Sequence, residues 1–303
     1  MERYPANMMD FTDIFPTEEA CVEYLRLMRW PDGYACLRCK SGSYWKRGRG
    51  LIICRDCGYE ASVTAGTLFQ DTHKPLRLWF EAIWYVVNQK NGVSALGLQK
   101  ALGLGSYQTA WDWLHKLRRA MVRPNRDKLS GLVEVDETFI GGEHPGKRGR
   151  GAEGKSLVFI AAEEAPRGIG RLRLSMLDNA AGETLLKAVQ ETIEPGSQVR
   201  SDGWDGYNLL PQHGYTHIPV LHRDAVSGDA TPLAHRVAAL LKRWWLGTHQ
   251  GAISPDHLRY YLDEFTFRFN RRTSRSRGKL FYRLIEHALQ IEPVPAKIFK
   301  HNI

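Results

Sequence analysis

Two pairs of cysteines, Cys36–Leu37–Arg38–Cys39 and Cys54–Arg55–Asp56–Cys57, constrain this chain more than any other feature of its sequence. Fourteen residues separate the pairs. Each CxxC knuckle offers two thiolates to a tetrahedral ion, and a connecting loop of this length folds back to bring the second knuckle to the first. The spacing therefore predicts a zinc ribbon closed by Cys36, Cys39, Cys54 and Cys57. Four thiolates leave no open coordination position, so this Zn2+ is expected to hold structure and not to catalyse. Disulfides are the competing reading. The start, MERYPANMMDFTDIFPTEEA, has no basic end followed by an apolar core, so a reducing, cytoplasmic setting is expected and disulfides are disfavoured. Cys21, the remaining cysteine, falls on the amphipathic stretch Glu18–Arg29 and is expected to be a core thiol.

The ribbon sequence also carries Lys40, Lys46, Arg47, Arg49 and Arg55, interleaved with Tyr44 and Trp45. Such a face suits the DNA backbone, and it equally suits a solvated surface on a small metal-stapled module. The whole chain leans the same way: 42 Lys+Arg against 33 Asp+Glu give a formal charge of +9, which favours a polyanionic partner. No stretch approaches the roughly 18 apolar residues of a membrane span. A 43% hydrophobic and 25% charged composition argues against a disordered or collagen-like chain. Its 303 residues suggest about two domains, or three with one small.

Downstream of the ribbon, ASVTAGTLFQDTHKP reads as short extended pieces. Leu76–Lys90 places Leu76, Trp79, Phe80, Ile83, Val86 and Val87 at helical spacing and predicts a helix with a buried face. A short helix over Ser94–Leu102, a tight turn over Gly103–Ser106 and a second helix over Tyr107–Val122 follow. Helix, short glycine-containing turn, helix is the helix-turn-helix pattern, although a plain three-helix bundle shares it. The second helix carries Gln108, Thr109 and Asp112 early and Lys116, Arg118, Arg119 and Arg123 late, as a major-groove reader would. From Leu132 the texture changes. LVEVDETFIGG, KSLVFIAAEE and GRLRLSMLD predict three strands, Ala181–Ile193 a helix, QVRSD a short strand, Gly203–Leu210 a short helix and TPLAHRVAALLKRWWLG a longer one. The sum is an α/β domain with a mixed sheet. The turn HPGKRGRGAEGK is Gly-rich and basic.

Asp136 lies in the middle of a β-branched strand, where an unpaired carboxylate is costly unless it faces a cleft or a cation. Period-two alternation sets Glu134, Asp136 and Thr138 on one face and Val135, Glu137 and Phe139 on the other. Asp202 ends the next inner strand at the turn SDGWDGY. Two such carboxylates side by side repel unless a divalent cation lies between them, which is the requirement of metal-assisted phosphoryl transfer. The bland readings are a turn aspartate and an ion-paired strand aspartate.

The cysteine ribbon, the helical segment, VEVDETFIGG, SDGWDGY, HRVAALLKRWWLGTH and YLDEFTFRFNRR, in this order, resemble the IS1595-family insertion-sequence transposases with their ISXO2-like transposase domain. The resemblance spans nearly the whole chain. It implies an RNase H-like mixed-sheet catalytic core preceded by a zinc ribbon and a helix-turn-helix-like domain. The implied domains are 1–74 (N-terminal helix and ribbon), 75–128 (helical, DNA-binding), 129–250 (catalytic core) and 251–303 (helical and basic). Asp136 matches the first residue of a DDE-type metal triad and Asp202 the second. The third position lies on a helix seven residues before a lysine, and here that frame is His235 to Lys242. This chain thus carries histidine where the family commonly has glutamate or asparagine. Seven residues are close to two helical turns, so His235 and Lys242 share a face. Glu134, Glu137, Asp205, His249 and His257 stay outside the triad, and Asp224 and Asp229 lie in a polar loop.

The resemblance further implies two Mg2+ or Mn2+ ions at Asp136, Asp202 and His235, cleavage of the ends of the element, and joining of the freed 3′-OH to target DNA. Double-stranded DNA, both terminal inverted repeats and target, is the implied partner, with Lys242, Lys116, Arg118, Arg119, Arg271 and Arg272 as phosphate contacts. A homodimer or larger assembly on DNA and a bacterial, nucleoid-associated location are also implied. The alternative is a transposase-derived DNA-binding protein whose core is catalytically inactive, which the third-position histidine keeps open.

Overall fold

The computed structural model describes residues 3–123, 126–141, 155–224, 228–251 and 254–294, and the chain forms two compact units. The first opens with α1 (Met8–Ile14), started by the Asn7 side chain, which accepts from the Met9 and Asp10 N–H groups at 2.8 and 3.0 Å. Next comes α2 (Glu18–Arg29), capped by Thr17. Three short strands, β1 (Tyr44–Arg47), β2 (Leu51–Cys54) and β3 (Glu60–Ser62), form an antiparallel sheet in that order. Residues between β3 and Pro75 run as consecutive turns, not as the extended pieces expected. Local side-chain bonds compete with a strand ladder there: the Thr67 hydroxyl donates to the Thr64 carbonyl and accepts from the Phe69 N–H, and the Ser62 hydroxyl accepts from the Thr64 N–H.

Helix α3 (Leu76–Asn88) buries the apolar positions that its spacing marks. Pro75 has no side-chain oxygen to cap it, and the Glu18 carboxylate takes that role, accepting from the Leu76 and Arg77 N–H groups at 2.7 and 2.9 Å. Helix α4 (Ala95–Leu102) runs from the Ser94 cap to Gly103. Gly103, at φ +62°, ends the helix in the left-handed region that favours glycine. Helix α5 (Tyr107–Ala120) follows, with the Trp79 and Trp113 rings stacked at 3.8 Å.

The second unit is built on five strands: β4 (Leu132–Ile140), β5 (Ser156–Ala165), β6 (Gly168–Leu177), β7 (Gln198–Ser201) and β8 (Thr216–Pro219), with α6 (Gly182–Thr192) between β6 and β7. The sheet order is β6-β5-β4-β7-β8, with β4, β5 and β6 antiparallel and β4, β7 and β8 parallel. This is the mixed sheet that the sequence predicts. Both faces are covered. Leu185, Leu186 and Val189 of α6 pack on Val133, Val135, Phe159 and Val199. On the other face, α7 (Pro232–His249) and α8 (Pro255–Asn270) set Val237, Leu241, Leu262 and Phe265 against Val158, Ile160, Leu172 and Leu174. Where a helix was expected over Gly203–Leu210, the chain makes two 3-10 turns, Asp205–Tyr207 and Leu210–His213. Its two glycines and Pro211 break the pattern. The loop HPGKRGRGAEGK lies outside the described residues except for Lys155.

The last helix, α9 (Arg277–Gln290), belongs to the first unit. Residues 251–303, which read from sequence as one segment, are therefore shared: α8 covers the sheet, while α9 inserts Phe281 among Phe11, Phe15, Phe80 and Trp84. A methyl group added at Gly278 would run into the Pro5 carbonyl. Ala ordinarily stabilises a helix interior by about 0.5–1 kcal/mol over Gly. Here the sign is expected to reverse, with Gly278→Ala lowering the denaturation midpoint of the first unit in a urea titration.

Candidate active site and zinc ribbon

The two knuckles close as their spacing predicts. All four Sγ atoms lie within 4.8 Å of one another, with Cys36 to Cys57 at 3.6 Å and Cys39 to Cys54 at 3.5 Å. Sulfurs of a disulfide stand about 2.05 Å apart. Four at about 2.3 Å from a tetrahedral ion stand roughly 3.8 Å apart. The observed edges fit the second case, and the donor set supports structural Zn2+. Each knuckle ends on a left-handed residue, Lys40 at φ +63° and Gly58 at φ +67°, which turns the chain back toward the ion. Burial opposes ionisation of Cys36, but the Cys39 and Arg38 N–H groups and the neighbouring thiols overcome it and bring that thiol down to about 6. Cys21 is buried away from this cluster, and burial pushes its thiol up to about 12. On the outer face Trp45 is exposed, with the Arg55 guanidinium 4.5 Å above its ring. Lys46 pairs with Glu23 at 3.0 Å and Arg47 with Glu60 at 3.4 Å.

In the second unit the sheet brings together residues far apart in sequence. The parallel register of β4 and β7 pairs Glu134 with Arg200. Asp202 follows directly on the end of β7, near enough to act electrostatically on Asp136. One Asp202 oxygen accepts from the Trp204 N–H at 3.2 Å. Asp136 takes the Glu137 N–H at 2.7 Å on one oxygen and the Thr231 hydroxyl at 3.1 Å on the other. The His235 Nε2 reaches that second oxygen at 2.9 Å. Burial holds the Asp136 carboxyl above its usual range; the Glu137 N–H, His235 and Thr231 oppose this, while Asp202 adds to it. An anion held in that way, beside a second carboxylate and an imidazole, is a donor set suited to a hard divalent cation such as Mg2+ or Mn2+. Among the described residues only the four cysteines are drawn together as a ready chelating cluster. Asp136 and His235 touch, and Asp202 approaches from the neighbouring strand.

The histidine is held on both sides, since its Nδ1 lies 2.7 Å from an Asp229 oxygen. The sequence reading leaves Asp229 in a polar loop, but the structure fixes its place. The sequence Asp229–Ala–Thr231–Pro232 is in fact a helix start, with Pro at the first helical position, and that signal is present in the residues themselves. The Asp229 carboxylate also accepts from the Thr231 N–H at 3.1 Å.

Glu134 is a second residue that the sequence reading sets aside. It is 0% exposed. Its Oε2 accepts from the Leu233 and Ala234 N–H groups at 2.6 and 3.2 Å, and its Oε1 from Arg200 at 3.0 Å. It therefore ties β4, two residues from Asp136, to β7, two residues from Asp202, and to the first turn of α7, one residue from His235. Removing one partner of a buried charged pair costs roughly 3–5 kcal/mol. Glu134→Ala is expected to destabilise the second unit by about that much in urea titrations, and Glu134→Gln, which keeps an oxygen for the helix N–H groups, by less. Glu137 points to the opposite face, where it accepts from the buried Tyr207 hydroxyl.

The basic residues fall into two groups. Lys242 is exposed on α7, on the face that carries His235. Lys116 is half-buried, and burial lowers its ammonium from the usual range. Arg118 departs from expectation: it is 2% exposed, packed beside His115, and has no open face for a phosphate. The amphipathic repeat of α5 turns that position inward. Arg119 donates to the Glu292 carbonyl at 3.4 Å. Arg271 stacks over Phe267 at 4.2 Å, and Arg272 stacks over Phe269 at 4.0 Å while donating to the Ile169, Gly170 and Phe269 carbonyls. Asn270 exchanges two bonds with Leu172 of β6, at 2.8 and 3.0 Å. The FNRR run thus fastens the end of α8 to β6, and Arg272 acts first as a staple.

Comparison with known proteins agrees with this division of the chain. Residues 16–60 match the transposase zinc-ribbon domain, and residues 128–270 match the ISXO2-like transposase domain. A Halobacterium salinarum protein, described as an uncharacterized protein in transposable element ISH50, is 28% identical over 287 residues, covering 88% of this chain and 94% of the relative.

Proposed function

The chain belongs to the IS1595 transposases, with an ISXO2-like transposase domain behind a transposase zinc ribbon, and from this premise we propose that it binds the ends of its element, cleaves them and joins the 3′-OH to target DNA. The observation that carries the reading is the site in the second unit: Asp136 on β4, Asp202 just beyond the end of the neighbouring parallel strand β7, and His235 in contact with Asp136. An RNase H-like core is supported by the sheet order, in which an antiparallel meander of three strands is extended by two parallel strands beside the first.

Asp136, Asp202 and His235 would hold the cations. Bound there, Mg2+ or Mn2+ supplies Lewis-acid activation for in-line displacement at phosphorus, first by water and then by a DNA 3′-OH. Thr231 and the Glu137 N–H fix the Asp136 carboxylate, and Glu134 fixes the three backbone elements around it. Lys242, two turns along α7 from His235, offers an exposed ammonium to a backbone phosphate on the same face. The helix pair α4–α5 serves as the helix-turn-helix reader, with Lys116 and Arg119 near the backbone, and Trp45 and Arg55 give the ribbon a stacking and basic face. Two ends must be held at once, so the working form is a dimer or larger on DNA.

Histidine at the third position, which neutralises less metal charge than a carboxylate would, is the observation that favours the second reading, a DNA-binding protein without cleavage. A marked element on a donor plasmid, supplied with this protein in cells, separates the two. The proposal expects insertions in a recipient plasmid with wild type and none with Asp136→Asn. Repression of the element's own promoter without insertions would favour the second reading.

A further inference from the structure

We propose that Asp229 is a positioning residue that fixes the tautomer and ring orientation of His235, and that this aspartate is the structural partner of having histidine at the third position. The inference rests on the proposed site. The observations are the 2.7 Å contact from Nδ1 to Asp229, the 2.9 Å contact from Nε2 to Asp136, and the hold on Asp229 itself through the Thr231 N–H at 3.1 Å. His235 also donates its backbone N–H to the Thr231 carbonyl at 2.9 Å. Thr231 thus links both carboxylates and the helix turn that carries the imidazole.

The chemistry explains why a histidine needs this and a glutamate would not. A carboxylate presents equivalent oxygens whichever way it rotates. A neutral imidazole has one lone pair in its plane, and it serves as a ligand only if that nitrogen faces the ion. The His235 side chain is 48% exposed at the start of a helix, so packing alone does not hold the ring. A proton on Nδ1 shared with Asp229 reserves Nε2, the nitrogen directed at Asp136, as the one free to exchange its proton for a cation. Carboxylates that orient metal-binding histidines typically contribute 10- to 100-fold in affinity.

The test has two readouts. Two-dimensional 15N–1H spectra of the metal-free protein report the tautomer of His235, and calorimetric titration with Mn2+ reports affinity. In the spectra, a proton held on Nδ1 is expected in wild type and lost in Asp229→Ala, with Asp229→Asn partly retaining it through its amide oxygen. Mn2+ affinity is expected to fall about 10- to 100-fold in Asp229→Ala. In a His235→Glu background the same Asp229→Ala change is expected to leave affinity unchanged or to raise it, because a second carboxylate there repels the first. An unchanged tautomer in Asp229→Ala overturns the proposal. So does a loss of Mn2+ affinity that is equal in the wild-type and His235→Glu backgrounds. If wild type and Asp136→Asn bind Mn2+ alike, the metal-site reading fails instead, and the tautomer readout still decides the role of Asp229.

Discussion

Stripping zinc is expected to unfold the ribbon and leave the second unit folded. The hydrophobic core available between Tyr34 and Val63 is small: Tyr34, Ile52, Ala61 and Val63, besides two of the cysteines. A module of this size does not hold itself together by apolar burial. Structural zinc in comparable modules supplies apparent binding free energies of about 10–16 kcal/mol, as large as the whole net stability of a typical domain. The further ties, the Arg29 guanidinium donating to the Ser62 and Val63 carbonyls at 2.9 and 2.8 Å, Arg26 donating to the Tyr44 hydroxyl at 3.3 Å and the Lys46–Glu23 pair at 3.0 Å, join the ribbon strands to α2 without closing the knuckles. Hydrogen exchange should therefore show the amides of Cys36, Lys40 and Gly58, which close the knuckle turns, losing protection on chelation or in Cys36→Ser. The amides of β4 and β5 should stay protected. Retained protection in the knuckles after zinc removal would mean that the thiols hold the fold without the ion.

Asp136→Asn is expected to carry the largest functional loss. The amide keeps the shape of the carboxylate, its oxygen still accepting from the Glu137 N–H while its NH2 group faces the Thr231 hydroxyl oxygen, so the fold should tolerate it. It removes the charge that a divalent cation requires. Loss of a group that stabilises charge in the transition state costs about 10²–10³-fold. On the proposed function Asp136 also holds the ion, so strand cleavage is expected to fall at least roughly 10³-fold. On the proposed function, end binding draws on many phosphate contacts besides this one carboxylate and should change by less than about threefold. A mobility-shift titration beside a cleavage time course measures both. Parallel losses of binding and cleavage would point to a folding defect, which thermal unfolding would show.

Local signals carry much of this architecture. Thr17, Glu18 and Glu19 mark the start of α2, whose limits agree with the amphipathic stretch, and Ser94 and Gly103 bracket α4. The cysteine spacing is sufficient for the ribbon. The parts that are not legible depend on partners distant in sequence. Nothing in RGKLFYRLIEHALQ says that Phe281 will pack on Phe11 and Phe15, so the sequence does not assign α9 to the first unit. Strand β8 is four residues long, sits at the sheet edge and ends in proline, and it shows no alternation. Arg118 is a cation in an inward position, which composition reads as surface. At the site, Asp136 and Asp202 stand out because carboxylates break apolar strands. Glu134 breaks the same strand, but its role appears only when β7 and α7 are in place around it. Asp229 sits just ahead of a legible helix start, but its contact with His235 appears only when the first turn of α7 is folded.

The most direct test of the central claim is to map the products formed from DNA carrying the ends of the element. Purified protein, the DNA and either Mg2+ or Mn2+ are incubated, and the new termini are sequenced and end-labelled. The account predicts nicks at the element boundary that leave 3′-OH groups, require the divalent ion, and reappear joined to target DNA. Bound ends that stay intact with both ions would contradict it, and would leave a DNA-binding protein built on a transposase fold.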